Sequence, residues 1–481
     1  MRSAERVDLA ALRADLAAAP DAQRMHSLDL GLLADTRGAV GGLSELVADL
    51  CPPGSPVVVL AAATDIQVQG RQLRDVVEDA LGPQFKVRWC VIGPAAGRVH
   101  ADEATVAAAA AAASGATCVV TVGSGTITDI GKAAAHAPAR LVCVQTATSV
   151  NGYADPFSVL LRRGVKRTTR TRWPDALVID PDVLISAPAG LNRAGLGDEL
   201  AMFTATADWY LAAALGGARA TDTPARAGDD PTWHPTVAWL TRSRGDDLAI
   251  LAGQLGSADG LAGLSRILTL SGIAMGVAGS TAPASGMEHA ISHLLEMAAD
   301  ARGEPGSLHG AQVGVASIVA AAAWSLVRAR VAERGLGRPA TQPDPDEARS
   351  QIERAFAWLD PSGAMAAECF EGYAVKLRAL ADGGGPLRRL ADSWAAHDAL
   401  LSDLLTDATS IRAALTSAGL PVTFGQLDSP VSATTARWAV VVCALQRRRV
   451  SVADLAMLLG AWGEDDIDQV LADAGVLTGS P

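Results

Sequence analysis

The chain has 481 residues, 49% of them hydrophobic and 19% charged, a globular composition with room for two or three cores that excludes a disordered protein. Its 40 Lys and Arg against 52 Asp and Glu leave a net charge of −12, which argues against nucleic acid or an anionic membrane as partner. A small phosphorylated ligand is not excluded, because it needs only a local basic pocket. The six cysteines (Cys51, Cys90, Cys118, Cys143, Cys369 and Cys443) form no CxxC pair, and Cys90, Cys118 and Cys143 lie in or beside apolar runs, the pattern of buried thiols in a reducing compartment.

Met1-Arg2-Ser3-Ala4-Glu5-Arg6 lacks the apolar core of a signal peptide. The longest apolar run, Val315 to Trp324, is too short to cross a bilayer and reads as a buried helix. A cytoplasmic protein without membrane insertion is expected. Its apolar helices are suited to self-association, and a homo-oligomer is expected.

From Pro56 to Asp180 strand and helix patterns alternate. Val57–Leu60, Val87–Ile92, Cys118–Val122 and Leu141–Val144 read as strands, and 72–81 and 102–114 as helices, the second ended by Gly115. This is the pattern of a parallel sheet covered on both faces, whose ligands bind beyond the carboxyl ends of the strands. At one such end stands Gly123-Ser124-Gly125-Thr126-Ile127-Thr128-Asp129, leading into a helical run to Ala135. Glycines there let an anion approach unpaired backbone N–H groups at a helix N-terminus. The spacing is not the Rossmann fingerprint.

After Asp180-Pro181, β-branched runs become rare and Ala/Leu-rich helical patterns dominate. The expected architecture is an α/β Rossmann-like domain over 1–185, with a parallel sheet and flanking helices, and an all-helical domain over 186–481. Gly216 to Pro235 reads as a loop insertion and Gly337 to Asp346 as a second polar break. Three segments of the helical half carry metal-ligand types: Asp198-Glu199, His289 with His293, and His309. His289 and His293, four apart, share a helix face, and three of the chain's eight histidines fall between 289 and 309. A carboxylate with two imidazoles suits a catalytic divalent ion, such as zinc, nickel or iron. Glu296 shares that face and reads either as a partner that orients a ligand or as a solvated charge.

Taken together, Gly123–Thr126 with Asp129, Thr146–Ala154, Gly197–Leu200, Asp208-Trp209, Ser271-Gly272 leading to Gly279-Ser280, Pro283–His289 with Ser292-His293, Leu308–Gly314 and Arg447–Leu455 resemble the sn-glycerol-1-phosphate dehydrogenase group. That group lies within the iron-containing alcohol dehydrogenase and dehydroquinate synthase-like superfamily. The resemblance implies the dehydroquinate synthase-like fold, NAD or NADP, and one divalent metal ion. It implies metal ligands Asp198, His289 and His309, with His293 beside them as a further catalytic or substrate contact. The cofactor set would be Asp65 at the adenosine ribose, Gly123, Ser124, Gly125, Thr126 and Asp129 at the phosphates, and Thr146 and Ser149 at the nicotinamide. The substrate would meet Asn151, Lys166, Asp198 and His293, with Lys166 as phosphate anchor beside Arg167 and Arg170; without the resemblance these three read equally as a solvated charge run. The implied reaction interconverts a small, phosphorylated ketone such as dihydroxyacetone phosphate and its alcohol.

The family usually has aspartate where this chain has Asn151, and often arginine where it has Ala282. An amide cannot serve as a base near neutral pH, and losing a guanidinium removes a bidentate anion partner. Two alternatives therefore stand beside the dehydrogenase: a cyclase like dehydroquinate synthase, whose first ligand is a glutamate such as Glu199, and a catalytically degenerate dinucleotide-binding protein.

Overall fold

The computed structural model describes residues 7–94, 97–215, 232–336, 344–380 and 385–477. Most of the expected insertion (216–231) and most of the second polar break (337–343) lie outside the described residues. The chain forms two compact units. One comprises Met1–Arg162, Arg167–Leu196 and Trp239–Val277; the other comprises Arg163–Lys166, Gly197–Ala238 and Ala278–Pro481. The division therefore does not follow a single cut at 185/186.

The first unit is built on a six-stranded sheet. Its strands are β1 (Leu32–Asp35), β2 (Pro56–Ala61), β5 (Lys86–Val91), β6 (Cys118–Gly123), β7 (Arg140–Gln145) and β10 (Ala176–Ile179). Their order is β1-β10-β7-β6-β2-β5, and every pairing is parallel. The inner strands are apolar runs because both faces are covered, as parallel sheets require. Two short antiparallel pairs are added: β3 (Gln67–Val68) with β4 (Arg71–Gln72), and β8 (Phe157–Arg162) with β9 (Val165–Arg170). The Arg163-Gly164 turn between β8 and β9 has φ of 51° and 75°, both left-handed, as a two-residue hairpin turn of the primed type demands.

The helix Ala258–Ala278 belongs to this unit, although it falls in the stretch expected to be a separate helical domain. Polar contacts tie it to the strand ends: Ser265 Oγ donates to Gln145 Oε1 at 2.7 Å, and Arg266 pairs with Asp35 at 2.5 Å. Glycine at 272 permits a close approach, since a Cβ there would lie 2.6 Å from the Asn151 carbonyl oxygen.

Among the described residues, the only strand segment of the second unit is at the hairpin tip, and its regular elements are otherwise helices. Its centre is the helix His309–Arg334, which packs on Met287–Arg302, Ala408–Ser417, Val452–Leu458 and Glu464–Ala474. Asp208, on the helix Met202–Ala214, fastens three of these elements. It accepts hydrogen bonds from Met287 N (2.7 Å), Val452 N (2.9 Å) and Trp324 Nε1 (3.1 Å). Burial and the neighbouring charge of Glu288 push its carboxyl up to about 8, against the pull of the two backbone N–H groups. The helices Ala258–Ala278 and His309–Arg334 have the length and hydropathy to cross a membrane, but 89% and 94% of their apolar windows are buried inside the protein.

Candidate functional site

Three helices carry the site of the second unit. Asp198 is next to last in the helix Ala189–Glu199, His289 lies in the first turn of Met287–Arg302, and His309 is the first residue of His309–Arg334. Gly197 rests directly on Gly310. A Cβ at 197 would press on the Gly310 carbonyl, with its carbon only 3.0 Å away, and a Cβ at 314 would lie 3.2 Å from Gly197 Cα. Each of these glycines or its partner adjoins a metal-ligand type, so the close packing draws Asp198 and His309 together. The loop before His289 is held by two guanidiniums. Arg447 donates to Ser285 Oγ (3.1 Å) and to the Gly286 carbonyl (2.5 Å); Arg449 donates to Thr281 Oγ1 and the Ser285 carbonyl, both at 2.9 Å. Ala282 is buried within that loop.

Asp198 Oδ1 lies 3.3 Å from His289 Nε2 and 3.6 Å from His309 Nε2. The ligand atoms of the three residues all fall within 4.8 Å of one another. One carboxylate oxygen and two imidazole nitrogens, nearly enclosed, form a donor set that suits a divalent ion. The His309 side chain is 21% exposed against 2% for Asp198, so the cluster is approached from the His309 side. Burial opposes a charge on His289, but hydrogen bonds to Asp198 and Glu288 outweigh it and raise its pKa to about 9. Glu199, adjacent in sequence, is buried but does not belong to the cluster.

His293 joins a second group, with Glu296 and His309, whose ligand atoms also lie within 4.8 Å of one another. Here Lys166 forms an ion pair with Glu296, so an ammonium already balances that carboxylate. Despite its burial, Glu296 is held well below the usual carboxylate range by Lys166 and His309. Burial and the charge of Lys166 keep His293 well below its ordinary pKa, hence neutral. The expected phosphate anchor is thus engaged by a carboxylate rather than solvated. Glu288 contacts His289 Nδ1, Ser292 contacts His309 Nδ1, and Gln312 contacts Ser292; in the sequence these three have no role beyond their place in the quoted motifs.

In the first unit, the expected dinucleotide residues gather at the carboxyl ends of β6, β7 and β2. Gly123 ends β6, Ser124 is the N-cap of the helix Gly125–Ala134, and Thr146, just past β7, donates its N–H to the Gly123 carbonyl at 3.3 Å. A Cβ on Gly125 would lie 2.5 Å from Val150 Cγ2, which explains the glycine without invoking a ligand. Asp65 is exposed on the loop after β2, and Ser149 Oγ lies 3.5 Å from the Tyr153 hydroxyl. Asp129 is turned inward: it pairs with Lys132 at 3.1 Å and accepts from Val159 N at 3.1 Å. Buried Lys132 also pairs with Asp155 (2.9 Å) and donates to the Gly152 and Phe157 carbonyls, pinning the loop that carries Ser149 and Asn151. Asn151 Nδ2 donates to Ser271 Oγ at 3.3 Å.

Residues 36–188 match the family model of the iron-containing alcohol dehydrogenases. A glycerol-1-phosphate dehydrogenase [NAD(P)+] of Hyperthermus butylicus is 30% identical over 309 residues, which is 63% of this chain and 81% of that protein. The chain belongs to the glycerol-1-phosphate dehydrogenase family. A glycerol-1-phosphate dehydrogenase [NAD(P)+] of Bacillus velezensis is 34% identical over 226 residues, 47% of this chain; the chain spans about half the length of this and a similar Bacillus licheniformis relative, 55% and 54%. Among solved structures, a probable glycerol dehydrogenase from Sinorhizobium meliloti superposes with a TM-score of 0.56 at 16% identity, covering 94% of this chain and 99% of that one. A maleylacetate reductase from a Rhizobium species gives 0.52 at 16% identity, covering 91% and 97%. These likenesses establish the family's dehydroquinate synthase-like fold.

Proposed function

We propose that the chain is a metal-dependent, NAD(P)-linked oxidoreductase acting on CH–OH groups. It reduces a small phosphorylated ketone, dihydroxyacetone phosphate, to sn-glycerol 1-phosphate, and runs the reverse reaction. The observation that carries this reading is the convergence of Asp198 Oδ1, His289 Nε2 and His309 Nε2 in a family whose named members are glycerol-1-phosphate dehydrogenases. Asp198, His289 and His309 would hold the divalent ion, and Gly123–Thr126 with Thr146, Ser149 and Asp65 the dinucleotide. When bound, the ion supplies Lewis-acid polarisation of the ketone oxygen and the nicotinamide supplies the hydride.

The chain's own residues do the rest. His293, kept neutral by burial and Lys166, offers an imidazole N–H to the oxygen on which charge develops. Asn151 gives or takes a hydrogen bond but transfers no proton. Lys166 exchanges its partner Glu296 for the substrate's phosphate. Asp129 acts through Lys132, shaping the loop at the cofactor turn rather than touching the dinucleotide. The absence of Glu199 from the ligand cluster favours the dehydrogenase over the cyclase. Six free cysteines agree with a reducing, cytoplasmic compartment.

The test is NADH and NADPH oxidation by zinc-, nickel- or iron-loaded protein with dihydroxyacetone phosphate and with unphosphorylated dihydroxyacetone. Turnover of the phosphorylated ketone that disappears in Asp198→Ala is expected. A protein that binds dinucleotide yet consumes none with any ketone would overturn the reading.

A further inference from the structure

The two ligand-type histidines each use both ring nitrogens. His289 Nδ1 lies 3.1 Å from Glu288 Oε1. Glu288 is fully buried and takes two further hydrogen bonds, from the Gly286 N–H and from Thr204 Oγ1 at 2.9 Å. A group that accepts from a backbone N–H and a hydroxyl at both oxygens is a carboxylate with nothing to donate, so the proton between Glu288 and His289 sits on Nδ1. On the other side, Ser292 Oγ donates to Gln312 Oε1 at 3.0 Å and lies 3.2 Å from His309 Nδ1. With its one hydrogen committed to Gln312, the Ser292 oxygen can only accept, which puts a proton on His309 Nδ1 as well. Glu296 Oε1, 3.5 Å from the same nitrogen, reinforces that choice.

We infer that Glu288 and the Ser292–Gln312 pair are positioning residues that hold a proton on Nδ1 of His289 and His309, so that Nε2 of each is the nitrogen left to exchange its proton for a single cation shared with Asp198. The inference deepens the proposed function and rests on it. Two consequences distinguish it from plain packing. The tautomers are set in the protein without added metal, and removing an acceptor weakens metal binding even where the ligands themselves are intact. Outer partners of this kind typically change metal affinity by roughly 10- to 100-fold.

The experiment has two arms. Long-range ¹H–¹⁵N correlation spectra of ¹⁵N-histidine-labelled protein, stripped of metal and held at pH 10, report the tautomers directly. Both His289 and His309 are expected as Nδ1–H, and Nε2–H at either one overturns the inference. In the second arm, Zn²⁺ dissociation constants come from chelator competition for wild type, Glu288→Gln, Ser292→Ala, Gln312→Leu and Gln312→Glu, with circular dichroism to verify folding. Glu288→Gln, Ser292→Ala and Gln312→Leu are expected to bind roughly 10- to 100-fold more weakly. Gln312→Glu, which keeps an acceptor for the Ser292 hydroxyl, is expected to stay near wild type. Wild-type affinity in folded Ser292→Ala and Gln312→Leu overturns the inference while leaving the proposed function intact. A wild-type protein that binds no Zn²⁺ overturns both.

Discussion

Gly197 gives the sharpest handle on the metal centre, because its substitution changes no ligand and no charge. In Gly197→Ala the new methyl meets the backbone of Gly310, whose carbonyl carbon would be 3.0 Å and Ala311 N 3.6 Å away, with the carbonyl oxygen nearer still. No flexible side chain can yield there. Restoring an ordinary contact of ~3.5 Å or more requires the two helix ends to part by on the order of 1 Å. Overpacking of this kind costs about 1–3 kcal/mol, which the fold should survive. Asp198 and His309 adjoin the two glycines, and metal sites tolerate only about ±0.2 Å in their ligand distances. The separation therefore takes Asp198 out of register with His309, and Zn²⁺ affinity should fall by roughly 100-fold or more, by analogy with the loss from a 1 Å misplacement of reacting groups. Chelator competition measures the affinity, and urea denaturation the stability. A Gly197→Ala protein that is destabilised yet binds Zn²⁺ as tightly as wild type would refute the claim that this contact sets the ligand geometry.

Other perturbations follow from the same geometry. His309→Ala should lose both metal retention and turnover while keeping its circular dichroism spectrum; full activity would remove His309 from the ligand set. In metal-stripped protein the His289 pKa of about 9 lies above the unfolded value of 6.5, so its contribution of roughly 3 kcal/mol is complete below pH 6.5 and lost as pH rises to 9. Urea midpoints across that range read the loss, and saturating Zn²⁺, which replaces the proton, should flatten it. Lys132→Met leaves Asp129 and Asp155 facing each other without their cation; breaking such a buried pair should cost about 3–5 kcal/mol, seen as a lowered urea midpoint.

The inner strands were readable from sequence because a sheet buried on both faces must be written as short apolar runs, and Val57–Leu60, Cys118–Val122 and Leu141–Val144 are such runs. The edge strand Leu32–Asp35 is short and half-exposed, so its pattern carries little signal. The β8–β9 hairpin is hidden by its basic residues: Lys166, Arg167 and Arg170 read as a charge run, and only Arg163-Gly164 marks the turn. The same holds for the placement of Ala258–Ala278. Its helical period is plain, but its contacts Ser265–Gln145 and Arg266–Asp35 span 120 and 231 residues, which no periodicity encodes. At the metal centre, the spacing of His289 and His293 signals a shared helix face. That spacing does not say which of the two meets Asp198; in the structure it is His289, with Nε2 3.3 Å from Asp198 Oδ1. Glu288 enters the sequence reading only as part of the Pro283–His289 motif, and its burial against Thr204 and His289 reveals its task.

Anomalous diffraction from crystals of the Zn²⁺-loaded protein, collected at the zinc edge, locates the ion and its ligands. One peak is expected at bonding distance, about 2.0–2.2 Å, from Asp198 Oδ1, His289 Nε2 and His309 Nε2 together. A peak bound instead by His293 and Glu296, or no peak beside Asp198, would contradict this ligand set.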